Sequence, residues 1–321
     1  MEIPTDLVPS VRELIAGREA SYRRMPSRSR PVETHIFKKI DGHEIAVDIY
    51  RVEGERLQPA VLFIHGGGLI MGGRKAILPS HVEAFHNGGF HFVSINYRLA
   101  PETKLPEIVR DVEDAWTWLQ QKAASFGIDR ERIAILGHSA GAYLALIGGY
   151  KLHPRPAALV SIAGYGRLAY SASTILTALK KADEGDARQA VGDGTISESG
   201  PNDSMQWYRG RGLFYLFCRQ QGIWLREISG HDAGDADWLK KYEPLRNVSA
   251  DYPPTMLLHG EPDTDVLIEE SELMQQALIR HGVAQEFVRN SKWAHAFLYM
   301  PDDASVGEAF RQIVGFLKRH V

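Results

Sequence analysis

An apolar run, Ile133 to Leu136, leads straight into Gly137-His138-Ser139-Ala140-Gly141, and the helix-like AYLALIGGY follows at once. Few arrangements satisfy a strand, a reversal at one residue and a helix in so short a span. The turn must be sharp enough to push the serine backbone into a strained conformation, and its neighbours must lack side chains that would collide with the adjoining strand and helix. Gly137 and Gly141 meet that second condition. Ser139 is then left alone at the carboxyl edge of a sheet, with the positive end of the next helix beneath it to favour a developing oxyanion. A strand, G-x-S-x-G and a helix in that order is the setting in which the pentapeptide marks a nucleophilic serine. His138 adjoins the serine, and neighbouring side chains at a tight turn point apart, so it reads as a packing or hydrogen-bonding residue and not as a base.

The flanking sequence supplies a sheet of matching type. Short continuous apolar runs (PAVLFIH, FHFVSINY, RIAILGHS, AALVSIAGY, PPTMLLHGE) alternate with longer amphipathic ones such as EIVRDVEDAWTWLQQKAASFG and GEAFRQIVGFLKRH. Strands of that kind are buried on both faces, as in a mostly parallel α/β sheet covered by helices. THIFKKI and EIAVDIYRV, separated by Asp41-Gly42, predict an antiparallel hairpin at the start of the sheet. The alternation lapses between about Gly164 and Val248, where polar, Gly-rich sequence meets helix-like pieces such as FYLFCRQQGIWLREI. So long a structureless loop is unusual in a compact domain, so this stretch is read as an inserted cap. The expectation is one domain over residues 1–321, with cap elements from an N-terminal arm at 1–33 and an insertion at about 165–248.

A serine nucleophile needs oxyanion donors, a base and an orienting acid. The donors are expected from His65-Gly66-Gly67-Gly68, which ends the strand VLFI. Consecutive glycines let main-chain N–H groups turn towards a tetrahedral oxygen without side chains intervening. The N–H groups of Gly67, Gly68 and Ala140 are the expected oxyanion hole, the last following the nucleophile. Of thirteen histidines, His295 lies after the apolar strand EFV and before the last helix, on a strand-end loop. His281, His231 and His320 have plainer explanations: a helix end, the insertion and the chain terminus. The acid belongs at the end of the preceding strand, where TMLLHGEPDTDV offers Glu261, Asp263 and Asp265. Asp263 is preferred, with Asp265 as the alternative and a helix-capping acidic turn as the plain reading of the cluster.

With these residues in view, the chain resembles the hormone-sensitive-lipase-like branch of the α/β-hydrolase carboxylesterases. The likeness rests on HGGG at 65–68, NYRLAPE at 96–102, GHSAG around Ser139, Gly260-Glu261-Pro262-Asp263 and His295-Ala296-Phe297, in order from about residue 45 onward. It implies an α/β-hydrolase fold, a mostly parallel eight-stranded sheet flanked by helices with a helical cap insertion. It also implies catalytic Ser139, Asp263 and His295, an oxyanion hole at Gly67, Gly68 and Ala140, and short acyl chains as substrates. Two departures bear on substrate. The branch commonly has aspartate where His138 stands and glycine where Ala142 stands, so the elbow is closer to acetyl- and feruloyl-type esterases and kynurenine formamidases.

The expected activity is therefore cleavage of short-chain carboxylic esters through an acyl-enzyme, with a small-molecule ester as partner and neither cofactor nor metal. An amidase or arylformamidase and an acetylated-carbohydrate esterase are the alternatives, and a non-catalytic ligand receptor is a weaker one because His295 is present. His81 and His86 are five apart and off a common helical face, and H-E-x-x-H is lacking. Thirty-seven basic against forty acidic residues, in no long run, advertise neither nucleic acid nor an anionic membrane. No apolar stretch is long enough for a membrane span, residues 1–30 carry no secretory h-region, and Cys218 is the lone cysteine, so a cytoplasmic location is expected. A homodimer is the assembly left open. Trp207, Tyr208, Phe214, Phe217 and Trp224 are candidate pocket liners, or else the insertion's own core.

Overall fold

A computed structural model of the chain describes residues 32–54, 56–169, 181–192, 194–199, 210–300 and 303–321. Its centre is one sheet of eight strands: β1 (Glu33–Ile40), β2 (His43–Tyr50), β3 (Gln58–Ile64), β4 (His91–Ile95), β5 (Ile128–His138), β6 (Leu159–Ile162), β7 (Thr255–Gly260) and β8 (Gln285–Asn290). Their spatial order is β1-β2-β4-β3-β5-β6-β7-β8. β1 and β2 pair antiparallel, as do β2 and β4, and every later pair is parallel. The opening hairpin turns at Asp41 and Gly42, both at positive φ (48° and 77°), as a two-residue loop matched to the strand twist requires. β1 begins at Glu33, and the N-terminal arm expected over 1–33 falls almost wholly on residues 1–31, which lie outside those described.

The parallel strands alternate between two apolar layers, which is why they read as continuous hydrophobic runs. Ala60, Leu62 and Ile64 of β3, with Ile133 and Ile135 of β5, face α2 (Leu105–Lys122) and α3 (Ala140–Lys151). Val61, Phe63, Ala134 and Leu136 face α1 (Pro79–Gly88) and α9 (Ala304–His320). α2 buries Leu105, Ile108, Val109, Val112, Ala115, Trp116 and Leu119, a stripe at three- and four-residue spacing. α9 does the same with Val306, Ala309, Phe310, Ile313, Phe316 and Leu317, and the Asp303 side chain caps its start by accepting from the Ser305 N–H. Burying one such side chain fully is worth roughly 1.5–3 kcal/mol, so the two layers dominate the fold's stabilisation.

Between β6 and β7 the described residues form α4 (Glu184–Gln189), α5 (Arg211–Gln220), α6 (Trp224–Ser229) and α7 (Ala236–Tyr242), and α8 (Glu269–Arg280) then joins β7 to β8. These helices contact the loops that leave the carboxyl ends of the strands. Arg211 of α5 holds both Glu102 carboxylate oxygens and the Ile70 carbonyl, while Lys104 donates to the Glu227 carbonyl of α6. Among the described residues no helix is long and apolar enough to cross a membrane.

Candidate active site

The elbow is built as its sterics demand. Ser139 joins β5 to α3 at φ 55° and ψ −122°, outside the regions a side-chain-bearing residue prefers. Two glycines permit this conformation. A Cβ on Gly137 would stand 2.1 Å from the Gly141 carbonyl oxygen, and one on Gly141 would stand 2.0 Å from that of Ile64. Hydrogen bonds fix the turn: the Ser139 N–H donates to the Ile162 carbonyl at 2.8 Å, and the Tyr143 N–H donates to Ser139 at 3.0 Å to open the helix. The Ala140 N–H, in the first turn of α3, is one of those left without an intrahelical acceptor.

His295 reaches this serine from 156 residues away. Its Nε2 lies 2.9 Å from Ser139 Oγ, and its Nδ1 lies 2.8 Å from Asp263 Oδ2. With the proton on Nδ1, the ring donates to Asp263 and accepts from the serine hydroxyl. The other Asp263 oxygen accepts the N–H groups of Asp265 (2.9 Å) and Val266 (3.0 Å), so the loop after β7 aims the carboxylate. That loop lies hard against the histidine's: a Cβ on Gly260 would come within 1.7 Å of the Trp293 carbonyl oxygen. His138 Nε2 donates to the His295 carbonyl at 2.9 Å, which gives the residue beside Ser139 a hydrogen-bonding role.

The electrostatics follow from burial and pairing. The Asp263 side chain is 1% exposed, and burial alone would raise its pKa. Attraction to His295 and hydrogen bonds from His259 and His295 outweigh that and hold it well below the usual carboxylate range. For His295, burial opposes the charged ring, but Asp263 and then Asp265 overcome it and raise the imidazole pKa. His259, on β7, was not singled out in the sequence. Its Nε2 stands 3.3 Å from Asp263 and 2.9 Å from the Val266 carbonyl, and its Nδ1 lies 2.7 Å from Ser271 Oγ. A buried polar residue at a strand end was the only signal.

Glu261 and Asp265 stand elsewhere. Glu261 is exposed. Asp265 faces the opposite nitrogen from Asp263: its Oδ2 is 3.7 Å from His295 Nε2, and its Oδ1 accepts from Tyr215 at 2.6 Å.

The glycine loop after β3 runs beside the serine; a Cβ on Gly66 would meet Ser139 Cβ at 3.1 Å. Gly67 and Gly68 have φ of 111° and 61°, and the Gly67 carbonyl accepts from the Ile70 and Met71 N–H groups, both at 3.0 Å. A Cβ on Gly68 would lie 2.4 Å from the Tyr215 ring, and Trp224 Nε1 donates to the Gly68 carbonyl at 2.9 Å. His65 stacks on Tyr97 (4.2 Å, 9°), whose hydroxyl donates to the His65 carbonyl, and burial pushes the His65 pKa down to about 4. The loop is thus gripped by buried aromatics, two of them from α5 and α6. Of the candidate liners, Phe214 and Phe217 are buried in the core, Trp224 holds the glycine loop, and Trp207 and Tyr208 lie outside the described residues.

The remaining histidines are engaged otherwise. His231 lies 2.6 Å from Asp235 and stacks on Trp238, His281 ends α8, and His320 closes α9. His81 lies 2.9 Å from the Leu298 carbonyl oxygen, and His86 lies 3.2 Å from that of Tyr50. Among the described residues no three His, Cys, Asp or Glu side chains group as a metal site.

Residues 47–278 match the family model described as BD-FAE. Among solved structures, a hyperthermophilic esterase from Pyrobaculum calidifontis is similar at a TM-score of 0.69 and 25% identity, over 99% of this chain and 93% of that one. An alpha/beta hydrolase superfamily protein from Enterococcus faecalis is similar at 0.71 and 22%, over 91% and 100%. An ethyl acetate hydrolase of Pseudomonas putida is 37% identical over 33% of this chain and 35% of its own length. A non-reducing polyketide synthase of Stereocaulon alpinum is 26% identical over 88% of this chain, which spans 13% of that much longer protein.

Proposed function

Because the chain belongs to the BD-FAE family and has the α/β-hydrolase fold, we propose that it is a serine hydrolase of short-chain carboxylic esters, with Ser139, His295 and Asp263 as its catalytic residues. One observation carries the reading: an unbroken path from Ser139 Oγ through both His295 nitrogens to a buried carboxylate, at 2.9 and 2.8 Å. Ser139 Oγ attacks the ester carbonyl as His295 Nε2 takes its proton. The oxyanion forms against the N–H groups of Gly67, Gly68 and Ala140, each donor of this kind being worth about 3 kcal/mol in the transition state. The imidazolium, stabilised by Asp263, protonates the departing alkoxide, and the same ring then activates water to release the acid.

The insertion at about 165–248 acts as the cap in this reading, and its α5 and α6 already reach the glycine loop. The ethyl acetate hydrolase relative supports a small acyl group. Cytoplasmic residence belongs to the same proposal and is read by cell fractionation. The decisive test is a fluorophosphonate probe with p-nitrophenyl acetate turnover. Labelling of the wild type that disappears in Ser139→Ala, together with an initial burst of nitrophenol, is the expected result. An unlabelled wild type, or equal labelling of the alanine variant, overturns the assignment.

A further inference from the structure

We propose that Asp265 is a specificity residue for the departing alcohol, favouring esters whose alcohol carries a positive charge and rejecting those whose alcohol is anionic. This rests on the hydrolase reading above, because it places Asp265 relative to the atom that must protonate the leaving oxygen.

His295 Nε2 receives the serine proton and must hand it to the leaving oxygen, so that oxygen comes within about 3 Å of Nε2 during the reaction. Asp265 Oδ2 stands 3.7 Å from the same nitrogen. A substituent two or three bonds beyond the leaving oxygen and directed to that side of the ring therefore comes within reach of Asp265. Asp263, by contrast, is sealed behind the ring at Nδ1 and meets no substrate.

Three features make Asp265 an organised acceptor. Its Oδ1 is tied down by the Tyr215 hydroxyl at 2.6 Å, and Tyr215 is itself packed on Gly68, so the carboxylate and the glycine loop share one support. Its main-chain N–H is held by Asp263 at 2.9 Å. Its side chain remains 22% exposed, whereas that of Asp263 is 1% exposed.

Among the described residues, the charged and titratable groups around it are few. Asp263 and His259 lie on the Nδ1 side of His295, and His138 packs against that ring with centroids 5.2 Å apart. Arg219 of α5 lies near the Tyr215 ring and reaches the Asp265 main-chain carbonyl at 3.4 Å. Among the described residues the Asp265 carboxylate forms no ion pair with a lysine or arginine, and its influence on His295 exceeds the opposing one of Arg219. Asp265 therefore places a negative charge on the leaving-group side of His295, with no lysine or arginine ion-paired to it among the described residues. Like charges brought together there are penalised, and opposite charges are drawn in.

The test compares kcat/KM for three acetates: acetylcholine, its uncharged isostere 3,3-dimethylbutyl acetate, and 2-acetoxyethanesulfonate. The wild type should prefer the cationic to the anionic ester by at least about thirtyfold, a modest return from two opposite-signed charge contacts at this range. That ratio should fall at least about tenfold in Asp265→Asn, the loss of about 1.4 kcal/mol of discrimination. A ratio within one preparation is unaffected by how much of the variant is folded or how fast its base works.

If the variant cannot be isolated, the wild-type ratio is followed as salt rises from about 0.01 to about 1 M, where screening should erode it severalfold. Equal turnover of cationic and anionic esters by the wild type, or a ratio unmoved in Asp265→Asn, overturns the proposal while leaving the hydrolase reading intact. Failure to cleave any of the three esters or p-nitrophenyl acetate removes both.

Discussion

Asp263→Asn separates the two carboxylates that flank His295. Asparagine keeps the size of the side chain and an oxygen for the Asp265 and Val266 N–H groups, so the loop is retained while the charge facing Nδ1 is lost. In the proposed mechanism that charge stabilises the imidazolium formed in both chemical steps. At about 4 Å between charge centres and an effective dielectric near 20, the attraction is worth about 4 kcal/mol, or roughly a thousandfold in kcat. The amide can also present its NH2 to Nδ1 and favour the wrong tautomer, which takes the expected loss towards ten-thousandfold. Asp265→Asn removes a charge that is farther from the ring, at 3.7 Å, and partly solvated, so its expected cost is about 1 kcal/mol, under tenfold.

The pH profile adds a sign to these magnitudes. The two carboxylates raise the His295 pKa, and in the proposed mechanism the free enzyme reacts with the ring neutral, so removing either should move the acid limb of kcat/KM to lower pH. The assay is p-nitrophenyl acetate kinetics across pH for the wild type and both variants. A larger loss in Asp265→Asn than in Asp263→Asn, or an acid limb moving upward in either, would refute the assignment of Asp263 as the orienting acid.

Stability carries the same charges. Asp263 has a depressed folded pKa, so its contribution is present above the unfolded value of about 3.9 and disappears as pH falls through the folded one. The Tm gap between wild type and Asp263→Asn should therefore be widest near neutrality and close in strong acid; a gap that widens on acidification contradicts the pairing. Gly141→Ala forces a methyl group onto the Ile64 carbonyl and should cost at least about 2 kcal/mol, seen as a Tm drop of about 4 °C or more with loss of activity. Trp224→Phe keeps a ring on the glycine loop but leaves the Gly68 carbonyl without its indole donor. A buried group so orphaned costs roughly 1–3 kcal/mol of stability, so the Tm should fall by several degrees, and an unchanged value would contradict the grip of α6 on the glycine loop.

What could be read from the sequence was what local sterics decide. Gly137 and Gly141 are needed whatever the rest of the chain does, because the clash each avoids is with a backbone atom of the elbow itself or of the next strand. The alternating apolar runs likewise report two-sided burial wherever their partners come from. Choosing among Glu261, Asp263 and Asp265 was harder. The three fall within five residues on one turn, and which carboxylate faces inward depends on the N–H groups of Asp265 and Val266, which only the folded loop presents to Asp263. The roles of Tyr215, Trp224 and His138 were hidden more completely, since each depends on a partner between 50 and 157 residues away.

Those hidden contacts share a consequence. Tyr215 touches both Gly68 and Asp265, and Trp224 holds the Gly68 carbonyl, so the segment between β6 and β7 grips the glycine loop and the Asp265 side of His295 through the same two short helices. A substitution in α5 or α6 that changes which ester fits cannot therefore be independent of how fast it is cleaved. Selectivity and rate should vary together along this insertion, whereas substitutions in the β1–β2 hairpin, at the opposite edge of the sheet from β7 and β8, should change stability and leave both alone.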